Sequence, residues 1–319
     1  MIVDFIATKP HYLDHLAPVW HALRPEERGG WLMSESLWDY AAAWHNIYAH
    51  DRADFGHGDW ALAAGYVDLN GMSTRRCVLM EHGVGQSYGD DRRQNYAGGP
   101  NRGHVAVFLS VNEIAHQKNT EANPDAWHFV IGSPRMDAWF NKRPYAAPHT
   151  AVSFHFPIND WVPETQTALP HYKSAVAELH YQHGDLIGHE HPRWDGRLLR
   201  QWDQIGMPTC WHFPSLVDRA YLYICDNSST IYEWAALDRP VVLLNAPQYR
   251  RDVEMGIRFW EYADVGVQCN DPDLLASCVD IAIERADDYT DRRAEITAAL
   301  FPYQGRSADR AVEALRSLS

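Results

Sequence analysis

Short apolar runs alternate with helix-spaced segments along most of this chain. Met1 to Ala7 carries the apolar run IVDFIA ahead of Lys9-Pro10, which predicts a buried strand entering a loop. From His11 to Leu23, residues Leu13, Leu16, Trp20 and Leu23 recur at spacings of three and four, so one face of a helix is apolar. Trp60 to Ala64, Cys77 to Met80, Val105 to Leu109 and His128 to Ile131 read as further buried strands. Strands parted by helices or loops predict an α/β layout with a mainly parallel sheet.

Periodicity lapses at Asn141 to Thr150 (NKRPYAAPHT), a linker candidate with two prolines. Beyond it the alternation restarts. Strands are expected at Ala151 to Phe156, Gly184 to Gly188, Pro208 to Phe213, Tyr221 to Cys225 and Val241 to Leu244. Helices are expected at Ala168 to Tyr181, Gly196 to Ile205, Ser229 to Leu237, Leu274 to Glu284, Asp291 to Leu300 and Ser307 to Leu318. Two α/β halves predict ligand chemistry at the carboxyl ends of the strands, where they turn into helices.

Composition narrows the classes. At 319 residues the chain suits two domains on a scale of roughly 150 residues each. Hydrophobic residues at 46% and 13 tryptophans supply ample core, which excludes general disorder. The 28 basic against 42 acidic side chains leave a formal charge of −14, which disfavours broad contact with nucleic acid or anionic lipid. No run of about 18 apolar residues occurs and the N-terminus lacks a basic-then-apolar pattern, so a soluble cytoplasmic protein is expected. Five scattered cysteines, none in a C-x-x-C pair, fit buried thiols of a reducing compartment.

Four segments could carry chemistry. Tyr221 to Leu244 runs from an apolar strand into Asp226-Asn227-Ser228-Ser229 and a helix start, where hydroxyls and free backbone amides suit a phosphate or diphosphate. Glu233, one turn on, could accept from ribose hydroxyls; Asp226 or Ser228 could equally be a plain helix cap. Met80 to Tyr88 (MEHGVGQSY) puts His82 and Gly83 at a strand end, where an imidazole can take a proton at neutral pH, although many of the 18 histidines must serve packing or surface roles. Gly184 to Arg197 offers His191 and Arg193 as phosphate partners. A metal held by His183, His189 and His191 is disfavoured, because it would also need a carboxylate in a facing geometry. Gly132 to Asp137 (GSPRMD) is a turn where Arg135 could meet a phosphate or pair with Asp137.

In this order the segments resemble the CDP-glycerol glycerophosphotransferase family of teichoic-acid synthesis, whose members adopt the GT-B fold. The family's HG loop, its G-x-P-R-x-D turn and its HP strand end read here as His82-Gly83, Gly132 to Asp137 and His191-Pro192. Its D-x-S-S-x-x-x-(D/E)-aromatic-A-x-L-x-(R/K)-P segment is matched at Asp226, Ser228, Ser229, Glu233, Trp234, Ala235, Leu237, Arg239 and Pro240. After its HG loop the family usually continues Thr-Pro-Leu-Lys, where this chain has Val84-Gly85-Gln86-Ser87.

The resemblance implies two Rossmann-like domains facing a central cleft. Residues 1–146 would form the acceptor side and 147–302 the nucleotide-donor side, and a helix in 303–319 would return to the N-terminal domain. It implies His82 and His191 as catalytic residues. Gly83, Arg135, Asp137, Arg193, Asp226, Ser228, Ser229, Thr230 and Glu233 would hold substrate or donor. Transfer of glycerol phosphate or a sugar from a CDP- or UDP-linked donor to an acceptor hydroxyl would need no cofactor and no metal. The alternatives are glycosylation of a protein or a modified DNA base, the latter suggested by the Arg92, Arg93 and Arg102 cluster; a UDP-sugar 2-epimerase; and a non-catalytic nucleotide- or glycan-binding protein.

Overall fold

A computed structural model describes residues 1–52, 55–65, 68–70, 72, 76–84, 103–140, 149–157, 163–250 and 262–318. Arg92, Arg93 and Arg102, the continuation of the HG loop from Gly85, and all but the last two residues of the linker candidate lie outside the described residues. The chain divides into two units, Met1–Asn141 with Ala299–Ser319, and Lys142–Ala298.

Unit 1 runs β1 (Val3–Ala7), α1 (Pro10–Ala22), β2 (Arg28–Met33), α2 (Glu35–His45), β3 (Trp60–Ala63), β4 (Arg76–Met80), β5 (Val105–Ser110), α3 (Glu113–Ala122) and β6 (Trp127–Val130). Its six strands are parallel in the order β2-β1-β3-β4-β5-β6. Strand order reverses at β1, so the carboxyl ends of β1 and β3 flank a topological switch point, the usual ligand position in such sheets. Phe5, Trp20 and Trp31 fill the core here, with Phe5 edge-on to Trp20 at 5.4 Å and 4.8 Å from Trp31.

Unit 2 runs β7 (His149–Phe154), α4 (Leu169–His183), β8 (Leu186–Glu190), α5 (Arg197–Gln204), α6 (Phe213–Arg219), β9 (Ala220–Cys225), α7 (Thr230–Ala235), β10 (Val241–Leu244), β11 (Val267–Cys269) and α8 (Leu275–Glu284). All five strands are parallel, in the order β11-β10-β9-β7-β8, which places a second switch point between β7 and β9. After α9 (Thr290–Leu300) the chain rejoins unit 1 as α10 (Ser307–Arg316), which packs on α1. Arg316 clasps Glu27 through two hydrogen bonds of 2.6 and 2.7 Å. Two Rossmann-like sheets with a C-terminal helix returned to the first unit constitute the GT-B fold expected above. No helix among the described residues is long and apolar enough to cross a membrane.

Pro208 to Phe213 does not form the expected strand. Only Thr209 bridges Gly188 of the edge strand β8, and α6 starts at Phe213 with Pro214 in its first turn, where proline's fixed φ favours a helix. Strand β2 escaped the periodicity reading because Gly29 and Gly30 break its apolar run. Their smallness serves the buried Asp4: Gly30 donates its N–H to Asp4 at 2.9 Å, and a Cβ on Gly29 would fall 2.2 Å from the carboxylate.

Candidate functional site

Each unit gathers its polar chemistry at its own switch point. In unit 1, His82 follows β4 and its Nδ1 meets the carbonyl of Ala64, just past β3, at 2.6 Å. A carbonyl only accepts, so Nδ1 carries the proton and Nε2 is the basic nitrogen of the neutral ring. Gly83 adopts φ 87°, a left-handed conformation that suits glycine and turns the chain immediately behind the imidazole. Asn112 secures the same loop: its amide donates to the carbonyl of Val84 at 3.0 Å while its oxygen caps α3 through Ala115. Next to His82, the carboxylate of Glu81 accepts from Val111 N–H and Asn119, and burial pushes its pKa up to about 7.

The ring of His82 lies among side chains of α1: Tyr12 at 4.8 Å, His11 at 5.7 Å and His15 at 6.3 Å between centroids. His15 is buried, and its pKa is held well below the usual imidazole value by desolvation, then by Arg135, His82 and His11. Arg135, on the turn after β6, therefore belongs to the His82 cluster of unit 1. Its guanidinium sits over Trp139 at 5.5 Å. Asp137 on the same turn accepts from the backbone N–H groups of Ser307 at 3.0 Å and Ala308 at 2.8 Å, capping α10. Gly132, at φ 87°, lets this turn approach α10 so closely that a Cβ would strike the Ser307 hydroxyl.

In unit 2 the switch point is built around Asp226. One carboxylate oxygen accepts the N–H of His155 at 2.8 Å, and the other accepts Ala168 N–H at 3.0 Å and the Thr167 hydroxyl at 3.2 Å. Asp226 thus ties the end of β9 to the segments after β7 and before α4. Ser228, Ser229 and Thr230 follow, with the Thr230 hydroxyl donating to Ser228 Oγ at 2.8 Å and meeting Tyr223 at 2.9 Å. The helix expected from Ser229 to Leu237 is α7, six residues long, so its dipole is small and the hydroxyls are the stronger candidates for donors to an anion at this turn. Glu233 is buried, 1% exposed. Two other residues of the segment are structural. Arg239, buried beneath Trp234, donates to the carbonyls of Val217 and Ala220, and Trp234 donates to that of Tyr221.

His191 lies just past β8, with His155 at 5.1 Å and Phe156 at 4.5 Å, and Arg193 covers Phe156 at 4.9 Å. The backbone N–H of Arg193 donates to His191 Nδ1 at 3.2 Å, so the neutral ring carries its proton on Nε2. The two candidate catalytic histidines thus have opposite tautomers: His82 suited to accept a proton, His191 to donate one. His189 points elsewhere, with Nδ1 at 2.9 Å from Ser153 Oγ.

The structure therefore joins His82, Gly83 and Arg135 in unit 1, and His191, Arg193, Asp226, Ser228, Ser229 and Thr230 around the unit 2 switch point. Asp137 and Asp226 spend both oxygens on the framework. Sequence reasoning passed over His11, Tyr12, His15, His155 and Phe156. The spacing of His11 and His15, one helical turn apart, was the available signal for a polar spot on an apolar helix.

No family model and no curated protein matches the chain. Solved structures do. A UDP-GlcNAc 2-epimerase from Methanocaldococcus jannaschii, in complex with UDP-GlcNAc and UDP, matches with a TM-score of 0.65 and 16% identity over 99% of this chain and 100% of that one. The UDP-GlcNAc 2-epimerase from Neisseria meningitidis bound to UDP-GlcNAc matches with a TM-score of 0.60 and 12% identity, over 99% of each chain. The wall teichoic acid polymerase TagF matches with a TM-score of 0.65 and 12% identity, over 100% of this chain and 90% of that one. At these identities the likeness establishes the shared fold over the full length of this chain.

Proposed function

We propose that the chain is a GT-B transferase that moves glycerol phosphate or a sugar from a CDP- or UDP-linked donor to an acceptor hydroxyl. Unit 2 holds the donor and unit 1 the acceptor. The observation that carries the reading is the hydrogen bond from His82 Nδ1 to the Ala64 carbonyl, which leaves Nε2 as a base at a switch point.

In this reading His82 Nε2 takes the proton of the acceptor hydroxyl as its oxygen attacks. For glycerol phosphate the attack is on the β-phosphorus: the new O–P bond forms, the bond to the bridging oxygen breaks, and CMP leaves with the electron pair. For a sugar, the attack is on the anomeric carbon and the nucleoside diphosphate leaves. The hydroxyls of Ser228, Ser229 and Thr230, His191 Nε2–H and the Arg193 guanidinium are the donors that offset the charge gathering on the departing phosphate. Asp226 acts through the backbone it holds. Calorimetric titration with CDP, UDP and GDP tests the donor half: at least one binds, and the Ser228→Ala/Ser229→Ala double variant weakens it about tenfold or more. Absence of binding to all three, or affinity unchanged in the double variant, refutes the reading.

A second reading, UDP-sugar 2-epimerisation, draws on the carboxyl groups of unit 1. Asp68, in the loop after β3, accepts the Thr8 hydroxyl at 2.7 Å and has its pKa raised by burial; Glu81, directly after β4, has its pKa raised by burial as well. Carboxyls poised to hold or release protons are what epimerisation at a sugar carbon requires. Incubation with donor alone separates the two, since an epimerase forms product without an acceptor.

A further inference from the structure

The charges felt by His15 come from His11 on α1, His82 after β4 and Arg135 on the turn after β6. Tyr12 lies against His82, and beside it the Asp68 carboxylate, which accepts the Thr8 hydroxyl, is an acid of this strand end. The one acid on α1, Asp14, is already engaged: one of its oxygens accepts both Tyr40 of α2 and His45 Nε2. His15 is 2% exposed and its Nδ1 makes no hydrogen bond. Ser133, 3% exposed and two residues before Arg135, also has a buried hydroxyl with no hydrogen bond. Buried polar atoms are normally satisfied, and one that is not points to strain, a functional role, or a bound water or ion. Helix α1 adds its amino end, which has no side-chain cap and no acid in its first turn. Donors and positive charge collected here, beside the candidate base, match the needs of one kind of ligand group.

We propose that unit 1 binds an oxyanion of its own, a phosphate ester or a carboxylate, among His11, His15, His82 and Arg135. Its assignment to the acceptor rests on the transferase reading, whereas the site itself does not. The acceptor is then an anionic molecule whose charged group is gripped next to the hydroxyl that His82 deprotonates. Arg135 supplies permanent charge, and Ser133 and His15 supply the buried donors. Proton uptake by His15 accompanies binding: burial and then its neighbours oppose a charge on the free ring, and a bound anion supplies an attraction that offsets them. Affinity therefore rises as pH falls.

Inorganic sulfate serves as the phosphate-like probe, because its charge is constant between about pH 6 and pH 8, and acetate serves as the carboxylate probe. Each is titrated into the full chain carrying Ser228→Ala/Ser229→Ala, with histidine ring resonances followed by NMR. Saturable shifts at His11, His15 and His82 are expected, with affinity several-fold tighter at pH 6 than at pH 8. Arg135→Gln is expected to weaken binding about tenfold or more. If that variant does not fold, His11→Ala, at a half-buried position, is expected to weaken it several-fold. Saturation by sulfate alone assigns a phosphate ester, by acetate alone a carboxylate, and by both a general oxyanion site. The proposal is overturned if neither probe moves His15 at concentrations on the order of 50 mM, or if the shifts persist unchanged in the variants. Loss of CDP and UDP binding, with sulfate binding intact, would refute the donor reading and leave this site standing.

Discussion

Replacing Asp226 by alanine separates a ligand contact from a framework role. The side chain is 2% exposed, and its oxygens accept two backbone N–H groups, of His155 and Ala168, and the hydroxyl of Thr167. Alanine leaves all three donors without their acceptor in the interior of unit 2. At about 1–3 kcal/mol for each buried polar group left unsatisfied, the two amides alone cost roughly 2–6 kcal/mol. A water entering the gap recovers part of this, so a loss of about 3 kcal/mol is expected. In a folding unit of this size each 1 kcal/mol moves the midpoint by about 2–4 °C, so the unit 2 transition falls by about 6–12 °C in differential scanning calorimetry. Nucleotide affinity, measured well below that transition, changes only as far as the Ser228 turn is displaced. A variant that melts within about 2 °C of the parent yet loses nucleotide affinity more than tenfold would refute this reasoning and make Asp226 a direct ligand contact.

His82→Ala should lower turnover by about two to four orders of magnitude with donor affinity retained, as steady-state kinetics and titration on the same sample will report. Glu81 has a folded pKa of about 7 against an ordinary 4.5, so the folded state binds its proton more tightly. Its contribution to stability is present below pH 4.5 and lost as pH rises to about 7, amounting to about 3 kcal/mol. Urea melts at pH 5 and pH 7.5 should show that loss, and Glu81→Gln should remove it. Arg316→Ala should cost less than about 1 kcal/mol in the same melts, because the pair it forms with Glu27 is partly exposed and screened by water. A larger loss would mean that α10 depends on that clasp.

The alternation of apolar runs and helical spacing was enough to read most strands of both sheets, because each strand of a covered parallel sheet is buried on both faces and so is continuously apolar. Strands β2 and β11 and helices α2, α3 and α6 were not among the expected elements: glycines interrupt the apolar run of β2, and the Pro214 signal for the start of α6 was absorbed into the apolar run from Pro208 to Phe213. Of the candidate site, the strand-end positions of His82, His191 and Ser228 could be read, because functional groups of α/β sheets collect where strands turn into helices. The partners of those groups could not.

Residue type and spacing by themselves determined the α/β class, the division into two halves and the strand-end turns that carry the candidate residues. Only the tertiary structure decided which side chains work together and which are already occupied. Asp137 and Asp226 look like ligand contacts along the chain, yet their oxygens hold α10 and the His155 and Ala168 amides. Arg135, distant in sequence from both His15 and His82, stands in their cluster because the turn after β6 meets α1 in unit 1. Hydrogen bonds and charge interactions reach only a few ångströms in space, whatever the separation along the chain, so a side chain's role is settled by its neighbours once the backbone has closed.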